Sequence, residues 1–219
     1  MTAKTRRVFI VLCITVQMLI LSGHGMAQTN VPDPLNQKAT LVIDNNAYFI
    51  LRVLSLKTKV PIGFEALPDE LSRKGSSAIS INVNPGTVRD ALEAIVQADN
   101  RYTWELVNGV INVFPKDHQS SISDIEIPQF NVNDEEIAGI GFIITDLPEV
   151  RAKLKTLGVA DNRMSDHGSA QQLKARVSFT LSKLTVREIL NEMIKCNYIN
   201  YWVIVRYGDS NELIRVQLF

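Results

Sequence analysis

TVRDALEAIVQADNRYTW, residues 87–104, returns without a gap as TVREILNEMIKCNYINYW, residues 185–202. Both begin Thr-Val-Arg-acid, both carry Leu in sixth place (Leu92, Leu190), and both close on the chain's two tryptophans, Trp104 and Trp202. Each opens with a capping box, in which a threonine hydroxyl and a carboxylate three residues later satisfy each other's amides. Thr185 with Glu188 fits the pattern fully; Thr87 with Asp90 is a shorter-armed version. Val88, Ala91, Leu92, Ile95 and Val96 then form an apolar helical stripe, repeated in the same places by Val186, Ile189, Leu190, Met193 and Ile194. A hairpin follows each time: YTWELV, the turn Asn108-Gly109 and VINVF, then later YWVIVRY, a turn at 208–211 and LIRVQLF. The piece is a folding unit written twice.

Working outward, TLVID (40–44) alternates as a strand does, and Ala47, Ile50, Leu51 and Leu54 share one helical face. Asn45 or Asn46 can cap that helix, and Pro61 ends it. PIGFEAL and AISINV read as strands separated by a charged loop, with Pro85-Gly86 turning the chain into the second helix. Residues 39–116 therefore read β-α-β-β-α-β-β. Residues 117–124 read as a linker and 125–219 as a divergent second α/β repeat. In that repeat IEIPQFNV and GIGFIIT read as strands, LPEVRAKLKTL as a helix, 158–173 as a polar loop and ARVSFTL as a strand. The expected class is α+β: two small units of helices packed on mixed β-sheets.

The first residues bound the compartment. A basic start, the apolar run VFIVLCITVQMLILS and the small residues before Gln28 have the form of a signal peptide cut after Ala27. The run is shorter than the ~20 apolar residues of a membrane span, so no integral span is expected after leader removal. Residues 28–38 read as a flexible lead. Losing 1–27 leaves 20 basic against 23 acidic residues, which excludes the basic face of a nucleic-acid binder. It also leaves Cys196 as the lone thiol, which excludes an intrachain disulfide. With Ala98 at the aligned place, Cys196 is expected to be a small apolar side chain on a helix.

The stretch from Leu41 to Pro115 resembles the secretin and TonB short N-terminal (STN) domain family. Leu51, Leu54, Ile62, Phe64, Ile81, Val83, Thr87, Ala91, Leu92, Tyr102, Val110, Ile111 and Val113 occupy that family's core and turn places. The resemblance implies a periplasmic module of the kind found at the start of secretins and signal-transducing TonB-dependent receptors. It speaks for fold more than for function. Neither a channel nor a barrel follows, so the module is expected to stand alone as a small exported protein.

Catalytic chemistry has little to stand on. His118 beside Asp117 and His167 beside Asp166 lie in separate polar segments, better read as solvated than as metal ligands or a general base. No G-x-S-x-G elbow, phosphate-cradling glycine loop or C-x-x-C occurs. Asp134-Glu135-Glu136 lacks the alternating oxygen ligands of a calcium loop. No catalytic, cofactor or metal residue is assigned, and no enzyme is expected. Trp104 and Trp202 are the candidate contact surface, with packing the stronger reading of both. The expected function is a non-enzymatic periplasmic adaptor that binds an envelope protein (a secretin, a TonB-dependent receptor or a signalling protein) by β-strand addition. The alternative is a sensor of a peptidoglycan fragment or sugar, bound between the two units.

Overall fold

In the first repeat, β1 (Lys38–Asn45) leads into α1 (Ala47–Thr58), β2 (Ile62–Glu65), β3 (Ile79–Thr87), α2 (Val88–Ala98), β4 (Tyr102–Val107) and β5 (Val110–Pro115). The second repeat runs β6 (Glu126–Glu136), α3 (Ile137–Asp146), α4 (Pro148–Thr156), β7 (Arg176–Thr185), α5 (Val186–Lys195), β8 (Tyr201–Tyr207) and β9 (Leu213–Leu218). The computed structural model describes residues 33–67, 69–70, 78–117, 121–159, 175–207 and 213–219, with side chains for all of these except 206–207 and 213–215. The leader, His118, His167 and most of the polar loop lie outside the described residues. The class is α+β, as the alternating and helical periods require.

Local chemistry sets the element ends. Asn46 caps α1, its side chain accepting the Phe49 amide at 2.9 Å, and Lys59 ends it in a left-handed conformation. Both capping boxes are closed: the amides of Thr87 and Thr185 each donate to the carboxylate three residues on, at 2.7 Å. Val88 N–H donates to Gln37 C=O just ahead of β1, and Val186 N–H to Ile125 C=O just ahead of β6. The ribbons match as well, Lys38 opposite Thr87 in β1–β3 and Glu126 opposite Thr185 in β6–β7. The duplication is therefore structural, down to single hydrogen bonds.

The two repeats share one sheet. Its order is β4-β5-β2-β8-β9, with β2 of the first repeat parallel to both β5 and β8. Residues Asp33–Phe219 accordingly form one compact unit. Because strand side chains alternate, the sheet divides two cores. Ile62, Phe64, Ile111, Val113, Tyr201 and Val203 face the core of α1 and α2. Val110, Trp202, Ile204, Val216 and Leu218 face that of α3 and α5.

Several sequence expectations need correction. GIGFIIT is not a strand but the body of α3, since Ile137, Ile140, Gly141 and Ile144 are its buried face at helical spacing. The flexible lead ends earlier than residue 38: Pro34–Asn36 form a 3-10 turn capped by Asp33, and Leu35 is buried. The linker is partly core, with Ile122 and Ser123 both buried. Pro85 and Gly86 lie within β3 and do not form a turn. Cys196, at the end of α5, is exposed. The second repeat has α4 in the place in the order where the first has β2.

Candidate protein-docking edge

Trp104 and Trp202 stand on aligned strands, and each points toward the helices of its own repeat. Their surroundings differ. Trp202 is 0 % exposed, its Nε1 donating to Asn191 Oδ1 at 3.0 Å. Its ring lies across Gly63 of β2, where any Cβ would collide with it. It is therefore no contact surface, and no pair of tryptophans forms a ligand platform. Trp104 is half-buried on the outermost strand, with the Arg89 guanidinium 5.6 Å from its ring centre. Only Trp104 remains accessible to a partner.

The hairpin register decides which backbone groups of β4 are free. Val107 and Val110 close a two-residue turn, and Arg101 C=O accepts from Lys116 N–H. Odd-numbered residues of β4 thus bond to β5, which turns the amides and carbonyls of Trp104 and Leu106 outward. Among the described residues no backbone group meets them. Leu106, on the same face as Trp104, is 37 % exposed. The edge offers polar backbone and apolar side chains together.

The other edges are blunted, as natural sheets usually arrange. At the far end of the central sheet, Tyr201 and Phe219 exchange backbone bonds, so the Val216 carbonyl points outward. Gly141 of α3 packs directly on that carbonyl, and a Cβ there would collide with it. The helix covers the edge. In the ribbons, β3 carries Pro85, β1 a register shift after Ala39, β6 Pro128 and a bulge ending in Asp134-Glu135-Glu136, and β7 the positive φ of Lys183. β4 has none of these devices.

Behind β4 the repeats are joined by charge. Arg187, aligned with Arg89, is only 14 % exposed and reaches Glu65 at 2.7 Å, Asp124 at 3.0 Å and Glu105 of β4 at 3.4 Å. It also donates to Ser123 Oγ at 2.9 Å and stacks over Phe114 at 4.7 Å. Glu105 is thereby drawn toward the second core, on the face of β4 opposite Trp104. On the first core's side, Glu70 accepts from the Tyr48 amide at 3.0 Å and meets Tyr102 Oη at 3.3 Å; burial raises its pKa, and burial likewise raises that of Tyr102. Asp99, bound by Arg101 at 2.6 and 2.8 Å, has its pKa lowered by that guanidinium.

Among the described residues, no group of three or more His, Cys, Asp and Glu side chains is placed to hold a metal ion, and no helix is long and apolar enough to cross a membrane. The acidic run 134–136 instead meets Arg176, which pairs with Asp134 at 3.1 Å. The sequence reading missed the choice of edge and the Gly141 contact. The first required knowing which strand ends the sheet, and the second was signalled only by helical spacing around Gly141. Comparison with known proteins found no matching family model, no similar curated protein and no similar solved structure.

Proposed function

We propose that this chain is an exported, non-enzymatic adaptor of the bacterial envelope that takes up an extended segment of a partner protein along β4. The observation that carries this reading is the contrast between the sheet's two ends: β9 is covered by α3, while the outward amides and carbonyls of Trp104 and Leu106 stay open beside half-buried Trp104 and exposed Leu106. Main-chain hydrogen bonds would supply affinity and the alternate apolar positions specificity. The leader-like first 27 residues and the STN resemblance of the first repeat support a periplasmic site and an envelope partner such as a secretin, a TonB-dependent receptor or a signalling protein.

Leu106→Pro tests the reading, because the Leu106 amide faces away from β5 and its loss breaks no ladder bond. The wild-type protein should recover an envelope protein from solubilised membranes, and Trp104 and Leu106 should gain amide-exchange protection in the complex. Leu106→Pro should recover none while unfolding at nearly the same temperature. Equal recovery by both proteins, or none by the wild type, removes the proposal.

A further inference from the structure

A helix on the surface of a globular protein ordinarily turns polar residues to solvent. The outer face of α1 also turns large apolar side chains there. Opposite its buried Ala47, Ile50, Leu51 and Leu54 it carries Phe49 and Leu56, 41 % and 55 % exposed, with half-buried Val53 between them packing back on the first core. The charges on α1 itself and at its C-terminal end have one sign. Arg52 lies between Phe49 and Leu56 on the same face, Lys57 adjoins Leu56, Lys59 follows the helix end, and α1 holds no acid. Among the described residues neither Lys57 nor Lys59 is in an ion pair, and Arg52 rests over the Phe219 ring at 4.4 Å. A chain with an excess of acids past residue 27 thus reverses its sign here.

The fold does not demand the stripe. In the second repeat the buried positions Ile137, Ile140, Gly141 and Ile144 match Ala47, Ile50, Leu51 and Leu54, which sets Gly139, Ile143 and Asp146 against Phe49, Val53 and Leu56. There the outer face is small, half-buried and acidic in turn, with no basic residue on the helix.

We infer that the outer face of α1 is a docking surface for an anionic lipid headgroup layer. Apolar tips on one side of a helix settle at the boundary of headgroups and acyl chains, while arginine and lysine keep their charges at headgroup level. Each such cation gains from an anionic surface, and the gain is screened by salt. Two exposed apolar tips and three cations suit reversible surface attachment. This inference does not rest on the β4 edge.

Vesicle flotation of the chain without residues 1–27 tests it, since residues 33–219 form one compact unit and the apolar run of the leader would itself enter vesicles. The protein should float with vesicles of phosphatidylcholine and phosphatidylglycerol and stay behind with phosphatidylcholine alone, and added salt should release it. Phe49→Gln with Leu56→Gln should weaken binding roughly tenfold or more, since each buried apolar side chain carries about that factor. Lys57→Gln should weaken it about fivefold. All three positions are solvent-facing, so circular dichroism and the unfolding temperature should match the wild type. Absence of flotation, equal flotation with neutral vesicles, or indifference to the double substitution overturns the inference. So does a dimer that the double substitution splits, because the stripe is then a contact between copies.

Discussion

The repeated piece sits twice in the same local frame and meets different neighbours. Val88 and Val186 are equally buried, equally capped and bonded to equivalent carbonyls. Seventeen residues on from each threonine, the frames part. β4 is an edge strand and leaves Trp104 half-open; β8 lies between β2 and β9, and Trp202 is sealed. Arg89 is exposed, whereas its counterpart Arg187 is held among Glu65, Glu105 and Asp124. Glu93 faces solvent, whereas its counterpart Asn191 binds the buried indole. A cap and a stripe specify the unit, and the place of its hairpin in the sheet decides what each aligned side chain contributes.

The largest test of this contrast is at the tryptophans. Trp202→Ala should cost about 3–5 kcal/mol, the usual loss for a buried large aromatic. Trp104→Ala should cost about 1–2 kcal/mol, since half of its surface is already in water. Urea midpoints at constant slope would show it, and equal losses would break the comparison. Next comes the arginine pair. Arg187→Ala strands buried Glu65 without a cation and should cost about 3 kcal/mol. Arg89→Ala removes one exposed cation–aromatic contact and should cost about 0.5 kcal/mol.

The two glycines of α3 sharpen the contrast between the sheet's ends. Gly141→Ala drives a methyl into the Val216 carbonyl and should cost about 1–3 kcal/mol. By loosening the helix over β9 it should also produce concentration-dependent association, visible by light scattering. Gly139 has open space where a Cβ would go, so Gly139→Ala should stabilise the chain by about 0.5–1 kcal/mol through helix propensity. The same sign at both positions would mean that α3 does not guard that edge.

What could be read from residues alone follows the range of the forces involved. Capping boxes, the Asn108-Gly109 hairpin and the buried stripes are set within a few residues, and the structure has all of them. Thr185, Ile189 and Met193 could be placed because their partners lie one turn away. The parallel pairing of β2 with β8 joins Ile62 to Tyr201 across most of the chain, and nothing in PIGFE announces it. Gly63 acquires its meaning only when Trp202 lies over it. α3 was misread because GIGFIIT is apolar and β-branched throughout, which hides a helical period that begins two residues earlier at Ile137. The candidate edge was half legible. Trp104 stood out by repetition, but that β4 and not β8 ends the sheet is decided by a strand pairing between the repeats.

The smallest effect separates the repeats by pH. Tyr102, which buries its phenol against Glu70, aligns with Asn200, and among the described residues Glu70 has no guanidinium of the kind Arg187 gives Glu65. Burial raises the Glu70 pKa above its ordinary 4.5, so the folded chain keeps a proton that the unfolded chain releases earlier. Its contribution to stability is therefore fully present below pH 4.5 and falls as pH rises through the folded value. Asp99 has the opposite sign: Arg101 lowers its pKa, and its contribution, full above the ordinary 3.8, is lost only as pH falls through the folded value. Glu70→Gln keeps an oxygen for the Tyr48 amide and can donate to Tyr102 Oη, with nothing to ionise. The variant should match or exceed the wild type in melting temperature at neutral pH, and that advantage should vanish as the pH falls below 4.5. Asp99→Asn should instead lose stability at neutral pH and approach the wild type in acid. If Glu70→Gln melts lower than the wild type at neutral pH, the buried carboxylate is stabilised in its charged form, and the first repeat holds its charge as firmly as Arg187 holds Glu65 at the seam.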